Sequence, residues 1–268
     1  MKISIVTPSL DQGRYIVRAI SSVISQEGDF DLELIVIDGE STDGTVGILK
    51  EFDRKIRQFP SAKIRFFWQS EKDQGHVQAV NKGLRLAGGD VLAFLNSDDS
   101  YAPGAFQKVV DFFATNPKIM WVTGKCRIID RQEREIRKWV TTYKNILLKN
   151  YCYPLLLTEN FLSQPATFWR KRVYEEFGDF NESQRYSLDY EYWLRLGQKY
   201  KPGFIDDYLA NFRVHPASKS GRGEIMSFRE GLDLVRRFGK SYGFALPLYL
   251  LNYVKLASAY RVMRWLRR

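Results

Sequence analysis

Residues 90–100 read DVLAFLNSDDS, an apolar run that ends in two adjacent aspartates, Asp98 and Asp99. The run is typical of a buried strand, whereas adjacent carboxylates repel each other and require water or a cation. A hard divalent cation suits such a cluster, because it takes oxygen ligands and often shares them with substrate phosphates. In the alternative interpretation, the two aspartates cap a helix that starts near Pro103.

Strand and helix patterns alternate on both sides of this stretch. Strands are predicted at residues 2–7, 32–38, 63–69, 90–95 and 119–125, and helices at 13–26, 41–52, 75–87 and 103–117. This alternation predicts an α/β fold with a doubly wound, mostly parallel sheet flanked by helices, as in Rossmann-like proteins. Ligands of such sheets bind beyond the carboxyl ends of the strands.

Three predicted strands end in polar residues that we expect to meet in one crevice. These ends are Thr7-Pro8-Ser9, Asp38-Gly39 and residues 96–99. Asp38-Gly39 could instead be a plain turn. Asp43 is expected to cap the following helix and not to bind a ligand.

The composition is that of a globular protein, with 268 residues of which 44% are hydrophobic and 27% are charged. Cys126 and Cys152 have no metal-like spacing, and a strand that begins at Lys2 leaves no room for a signal peptide. We therefore expect a cytoplasmic protein with two inert cysteines.

The net charge of +10 is concentrated at the C-terminus. No acid follows Asp233, whereas eight basic residues do: Arg236, Arg237, Lys240, Lys255, Arg261, Arg264, Arg267 and Arg268. Polar residues interrupt the apolar stretch too often for a membrane span, so residues 221–268 are predicted to form a basic amphipathic helical tail on an anionic membrane surface. A helix packed on the domain with a solvated basic face is the alternative. Nucleic-acid binding is not expected, because the charge is confined to the tail and no binding motif is present.

Four stretches, taken in order, resemble the family 2 glycosyltransferases. They are SIVTPSLDQGRYIVRAISSVISQ, LIVIDGESTDGT, SEKDQGHVQAVNKGLRLAGGDVLAFLNSDD and SQPATFWRKRVYEEFGDFNESQRYSLDYEYWLRL. The resemblance implies the GT-A fold over residues 1–220, with a nucleotide-sugar-binding half at 1–125 and an acceptor-side half at 126–220. It also implies an inverting, metal-dependent, hexosyltransferase-type enzyme that uses a nucleotide diphosphate sugar.

The resemblance assigns the donor side as follows. Thr7, Pro8, Ser9 and Asp38 would hold the nucleotide base and ribose, and Asp73 would lie near the base. LNSDD matches the metal motif, which usually reads Asp-x-Asp but here begins with Asn96. This departure implies that Asp98 is the sole direct ligand of Mn²⁺ or Mg²⁺. Asp99 would either support that ligand without touching the metal or contact the sugar, and Asn96 would either offer its carbonyl oxygen or bind ribose.

The same resemblance makes Asp189, in YSLDYEYWLRLG, the base that deprotonates the acceptor hydroxyl. Trp193 follows at the i, i+4 spacing of one helix face and could wall the acceptor site. In the alternative, Asp189 is only a favourable charge at a helix N-terminus. Glu191 is the weaker candidate for the base.

Three further residues complete the predicted site. Gln164 belongs to a segment that lines the acceptor side in the family, and Arg213 could neutralise phosphate charge, as could Lys219. His215 would contact the metal or the diphosphate, although an isolated histidine is more often structural. His76 is expected to have no role, and Asn81 and Gly83 match family positions that helix packing explains equally well.

These assignments predict transfer to a saccharide or lipid-linked saccharide in cell-surface polysaccharide or glycolipid assembly. The protein would be cytoplasmic and peripheral on the inner face of the cytoplasmic membrane. The alternative is a catalytically inactive, nucleotide-sugar-binding subunit at the membrane surface. The donor sugar, its nucleotide base and the acceptor are left open by the sequence.

Overall fold

The computed structural model describes residues 1–58, 61–216, 218 and 224–266, without the side chains of residues 224, 256, 257 and 259–266. The predicted domain boundary after residue 220, Lys219, Arg267 and Arg268 therefore lie outside the described part, as do the side chains of Arg261 and Arg264.

Eight strands form one sheet: β1 (Lys2–Ser9), β2 (Asp31–Asp38), β3 (Ile64–Ser70), β4 (Val91–Phe94), β5 (Ser100–Tyr101), β6 (Trp121–Ile129), β7 (Thr167–Arg170) and β8 (Gly203–Arg213). Their order is β3-β2-β1-β4-β7-β6-β8-β5. Strands β1 to β4 are parallel, β7 is antiparallel to both neighbours, and β6 is parallel to β8. The carboxyl ends of β1, β2 and β4 therefore lie at one edge, where the three polar strand ends meet.

Helices cover both faces of the sheet within the described residues. They are α1 (Ile16–Ile24), α2 (Thr45–Gln58), α3 (His76–Leu86), α4 (Ala105–Thr115), α5 (Lys138–Lys149), α6 (Tyr153–Leu156), α7 (Lys171–Phe177), α8 (Leu188–Gly197), α9 (Glu224–Phe238) and α10 (Ala245–Leu266), with a 3₁₀ turn at Gln164–Ala166. One apolar core lies between the sheet and α1 and α4, and the other lies between the sheet and α3 and α8.

The packing of α3 against β1 depends on a glycine. A Cβ atom at Gly83 would lie 2.3 Å from Cγ1 of Val6, so a larger residue would push the helix away from the sheet. Asn81, on the same helix, is buried and bonds the backbone of Phe180 through both ends of its amide. Helix packing therefore accounts for both family-like residues.

The C-terminal helices pack on the domain. Leu234 and Val235 of α9 and Ala245 of α10 are buried members of the core that includes α8. Among the described helices, none is both long and apolar enough for a membrane crossing.

Candidate active site

The ends of β1 and β2 form the first wall of the site. Thr7 and Ser9 are buried, and the Oγ of Ser9 has no hydrogen-bond partner among the described residues. The buried Asp38 carboxylate accepts hydrogen bonds from Ser41 N (2.9 Å), Ser41 Oγ (2.5 Å) and Ser70 Oγ (2.7 Å). These bonds tie β2 both to its following loop and to β3, which exceeds what a plain turn requires.

Asp73 lies beside this strand end, and its predicted position near the nucleotide base stays a prediction. Its Oδ1 accepts a hydrogen bond from Gly75 N at 2.8 Å. A Cβ atom on Gly39 would come within 2.7 Å of Asp73 Oδ2, so only glycine leaves room for this carboxylate. The close approach places Asp38 and Asp73 on the same side of the crevice.

Asp43 is a capping residue, and that prediction is confirmed. Its Oδ1 accepts hydrogen bonds from Thr45 N (3.1 Å) and Thr45 Oγ1 (2.5 Å), and its Oδ2 accepts one from Gly13 N (2.8 Å). The loop after β1 and the start of α2 are thereby joined.

The loop after β4 brings Asp98 to His215. Asp98 Oδ2 lies 3.0 Å from His215 Nε2, and the imidazole is buried against the ring of Tyr15, with 4.7 Å between centroids. Nδ1 of His215 has no partner among the described residues. Helix α4 begins behind Gly104 without a side-chain cap, so the alternative in which Asp98 and Asp99 cap a helix is wrong.

Asp99 and Arg213 form a buried pair below Asp98. Arg213 N donates to Asp99 Oδ1 at 2.8 Å, and the guanidinium donates to the carbonyl oxygens of Asp98 (2.7 Å) and Asp130 (3.0 Å) and to Glu133 Oε1 (3.1 Å). Burial, and then the charge of Asp98, raise the pKa of Asp99 well above its usual range. Arg213 thus holds the acid-bearing loop in place, and its predicted contact with phosphate stays a prediction.

Asn96 is the centre of a hydrogen-bond network. Its Oδ1 lies 2.7 Å from His76 Nε2, and its Nδ2 donates to Asp99 Oδ2 (3.2 Å) and Gln164 Oε1 (3.3 Å). Gln164 Nε2 in turn donates to the carbonyl oxygen of Phe94 at 2.5 Å. Asn96, the first position of the motif, therefore holds the neighbouring side chains in place. An amide suits this role because it has both a hydrogen-bond donor and an acceptor.

The Asn96→Asp variant tests this interpretation. An aspartate at position 96 would replace the Nδ2 donor by an oxygen, which would face the acceptor oxygens of Asp99 and Gln164 without a hydrogen bond. We therefore expect an unfolding free energy lower by about 1–3 kcal/mol in EDTA. Added Mn²⁺ should restore more of the melting temperature in the variant than in the wild type. Unchanged melting in EDTA would contradict the network.

Asp189 is at the start of α8 and is half-buried. Its Oδ1 accepts a hydrogen bond from Tyr190 N at 2.8 Å, and Asn160 Nδ2 is within 3.5 Å of its Oδ2. Burial raises the pKa of Asp189, although the Tyr190 N–H and the positive charge of Lys144 oppose the shift. A carboxylate with a raised pKa is a stronger base, which suits proton abstraction from a hydroxyl group.

Two other acceptor-side residues belong to the core of the protein. Trp193 is fully buried, stacked on Trp121 with 5.5 Å between centroids, so the structure does not place it with Asp189 at an open wall. Glu191 is buried in an ion pair with Arg195 at 2.9 Å. Both side chains are therefore buried in the packing of α8, whereas Asp189 is half-buried at the start of that helix.

Glu230 of α9 fixes the approach to the helix that carries Asp189. Its carboxylate accepts hydrogen bonds from the backbone N–H groups of Arg185 (3.0 Å), Tyr186 (2.8 Å) and Ser187 (2.8 Å). An anion at this position also interacts favourably with the positive end of α8. Neither Glu230 nor His76 was expected in the site, because a half-exposed glutamate and a lone histidine carry no distinctive spacing.

Glu230→Ala should therefore destabilise the protein and misplace Asp189. We expect an unfolding free energy lower by about 1–3 kcal/mol and a fall in kcat with little change in donor KM. Asp233→Ala, which removes an exposed carboxylate from the same helix, is the matched control and should change neither quantity. A Glu230→Ala variant with a lower melting temperature but full kcat would show that the Glu230 carboxylate has only a structural role.

Comparison with known proteins identifies the family. The model of glycosyl transferase family 2 matches residues 4–178. An uncharacterized glycosyltransferase of Nostoc sp. is 31% identical over 179 residues, covering 66% of this chain and 53% of that protein. Chondroitin synthase of Escherichia coli is 29% identical over 73% of this chain but only 26% of its own length. This chain thus spans about half or less of the length of these two relatives.

Other matches extend over more of the chain. The PGL/p-HBAD biosynthesis glycosyltransferase of Mycobacterium bovis is 26% identical over 99% of this chain and 97% of that protein. Among solved structures, S. aureus TarS in complex with UDP-GlcNAc has a TM-score of 0.65 at 16% identity, over 89% of this chain and 66% of that one. The mannosyltransferase PcManGT of Pyrobaculum calidifontis, in complex with GDP-Man and Mn²⁺, has a TM-score of 0.66 at 16% identity, over 96% and 75%. The predicted GT-A fold is confirmed, and the chain belongs to glycosyl transferase family 2.

Proposed function

We propose that this glycosyltransferase moves a sugar from a nucleotide diphosphate sugar to an acceptor hydroxyl with inversion at the anomeric carbon. The observation that supports this most directly is the Asp98–His215 pair at the carboxyl end of the parallel strands, 3.0 Å apart. The structures of TarS and PcManGT with UDP-GlcNAc and GDP-Man support a nucleotide-sugar donor. Thr7, Pro8, Ser9, Asp38 and Asp73 would hold its base and ribose.

The residues around Asp98 fit a divalent cation. Two adjacent carboxylates, one of them buried with a raised pKa, concentrate negative charge that Mn²⁺ or Mg²⁺ would offset. Asp98 and His215 would be the protein ligands, and the carboxylate oxygen is a donor that suits both Mn²⁺ and Mg²⁺. No group of three or more histidine, cysteine, aspartate or glutamate side chains that could hold a metal ion is found among the described side chains. Diphosphate oxygens and water would have to supply the other ligands. When bound, the cation would stabilise the charge of the departing diphosphate.

Asp189 is the proposed base. Its ionised carboxylate accepts the proton of the acceptor hydroxyl, and the oxygen then bonds to the anomeric carbon as the bond to the diphosphate breaks. Attack from the face opposite the leaving group inverts the configuration in one step. Asn96, Asp99 and Gln164, connected by hydrogen bonds, would order the sugar side of the crevice, and Trp193 and Arg213 would support it from the core.

We further propose a saccharide or lipid-linked saccharide as the acceptor, in cell-surface polysaccharide or glycolipid assembly. The similarity to the PGL/p-HBAD biosynthesis glycosyltransferase of Mycobacterium bovis supports this class. A catalytically inactive subunit would bind the same donors without turning them over. The proposed base and metal ligand, Asp189 and Asp98, are both present, which favours the enzyme.

A donor screen tests the function. Nucleotide sugars with UDP, GDP and dTDP would be tested by thermal shift with Mn²⁺ and with EDTA, and each binding donor would then be incubated with candidate acceptors. We expect Mn²⁺-dependent release of the nucleotide diphosphate, and a product anomeric configuration, read by NMR, opposite to that of the donor. Retention of configuration would contradict the inverting mechanism, and binding without any turnover would favour the inactive subunit.

A further inference from the structure

The outward face of α10 is apolar. Phe244, Leu248, Leu251 and Val254 recur at helical spacing and are 47%, 40%, 61% and 59% exposed. The inward face, which includes the buried Ala245, packs on the domain. Surface helices usually present polar residues to solvent, so this arrangement is the reverse of the ordinary one.

The apolar surface continues onto α5. Lys255 of α10 lies with its Nζ 5.0 Å from the centroid of the Tyr143 ring on α5, so the two helices are neighbours. Trp139 and Ile146, one turn before and after Tyr143, are 43% and 56% exposed. We call six exposed apolar residues of this surface the apolar platform: Trp139 and Ile146 of α5, Phe244 immediately before α10, and Leu248, Leu251 and Val254 of α10.

The charges on α5 and on the chain after Asp233 are all basic. Helix α5 contains lysines at 138, 144 and 149 and no acid, and the chain has no acid after Asp233. Two acids lie beside α5: Asp206, paired with Lys149 at 2.9 Å, and Glu159, bonded to Tyr143. Arg237 of α9, Lys240 of the connecting turn and Lys255 of α10 are exposed. A basic rim around an apolar face is complementary to an anionic lipid leaflet, to which each basic residue contributes on the order of 1 kcal/mol of binding.

The apolar platform is also close to the acceptor side of the site. Tyr143 donates a hydrogen bond to Glu159 at 2.7 Å, and the next residue, Asn160, contacts the Asp189 carboxylate. A membrane in contact with α5 and α10 would therefore lie on the side of the protein where the proposed base is located.

We propose that the apolar platform docks this protein on an anionic membrane leaflet and faces Asp189 toward acceptors held in that leaflet. The orientation toward acceptors rests on the proposed function, whereas the docking does not. A second copy of the chain is the less suitable occupant, because symmetric contact would bring the same basic rims together.

Vesicle flotation tests the docking without any assay of activity. The full chain would be floated with phosphatidylcholine vesicles, with or without phosphatidylglycerol. We expect binding that requires phosphatidylglycerol and weakens with added salt. Leu248→Ser combined with Leu251→Ser should lower the ratio of bound to free protein about tenfold or more, because it removes two apolar contacts. Lys255→Glu, which leaves the apolar contacts intact, should also reduce binding.

The matched control combines Leu86→Ser and Phe67→Ser, which change similarly exposed apolar residues (50% and 45%) outside the apolar platform. The control should bind as the wild type does, and circular dichroism would verify the fold of every variant. No binding by the wild type, or equal binding by the control and the platform variant, would overturn the proposal. So would a wild-type dimer that the Leu248→Ser, Leu251→Ser variant converts to a monomer while vesicle binding is unchanged.

Discussion

The Asp189→Asn variant is expected to lose about 10²- to 10⁴-fold in kcat, the range that general-base catalysis contributes, with donor KM changed little. Asparagine keeps the shape of the side chain and can still accept the hydrogen bond from Tyr190 N, but it cannot take a proton. Steady-state release of the nucleotide diphosphate at saturating acceptor would measure the loss. Undiminished turnover would remove Asp189 from the mechanism.

The same variant should be at least as stable as the wild type. Because burial raises the folded-state pKa of Asp189, the folded protein binds this proton more tightly than the unfolded chain does. Stability from this group is thus present below the unfolded pKa of about 3.9 and is lost as pH rises through the raised folded value. At neutral pH the ionised carboxylate destabilises the fold, and a neutral asparagine would remove that cost.

Glu191→Gln is the matched control, two residues along the same helix. It breaks a buried ion pair with Arg195, so we expect a lower melting temperature with kcat preserved. The two variants should therefore affect different properties. Asp189→Asn should lower activity without loss of stability, and Glu191→Gln should lower stability without loss of catalysis. The wild-type pH profile of kcat should fall on the acid side at a pKa above the ordinary aspartate value.

Asp98→Ala is expected to have an effect of similar size, about 10²- to 10³-fold in kcat. The substitution removes the proposed oxygen ligand and leaves His215 Nε2 without its partner at 3.0 Å. Affinity for the nucleoside diphosphate should become insensitive to Mn²⁺, as measured by calorimetry with Mn²⁺ and with EDTA.

Asp43→Asn is the appropriate comparison, because it changes an aspartate that caps α2 after the neighbouring strand. We expect a modest loss of stability and an unchanged response of diphosphate binding to Mn²⁺. Equal Mn²⁺ dependence in Asp98→Ala and the wild type would show that the cation, if one binds, is held by other residues.

The sequence was sufficient for the first half of the fold. Helical periodicity and β-branched runs are strong over residues 2–125, and all five predicted strands and four predicted helices there are found. Strands β5, β7 and β8 were not predicted. The first two have two and four residues, too few for periodicity to register, whereas β8 has eleven residues and was missed although it is long. The antiparallel position of β7 between β4 and β6 depends on pairing between distant residues, which no local pattern encodes.

The acidic residues of the candidate site could be predicted from the sequence, but most of the side chains that contact them could not. Strand ends identified Asp38 and Asp98 because parallel strands deliver their termini to one edge. The contact between Asp98 and His215, 117 residues apart, was suggested by family resemblance and not by spacing. The surroundings of Trp193 could not be anticipated, because the i, i+4 rule gives a helix face without saying whether that face meets solvent or core. Those of Arg213 depend on contacts with residues 80 or more positions away, which no local pattern encodes.

Glu230 connects the C-terminal helices to the start of α8, the helix that carries the proposed base. A helix pair that also supplies Leu234, Val235 and Ala245 to the core cannot swing as a flexible tether would. If the outer side of this helix pair lies on a bilayer, the angle between the bilayer and α8 is fixed. The height above the lipid headgroups at which sugar can be transferred is then fixed as well. The enzyme would then select acceptors by how far their hydroxyl projects from the membrane. Removing residues 234–268 would also remove Leu234, Val235 and Ala245 from the core, so such a truncation would change stability together with this selection.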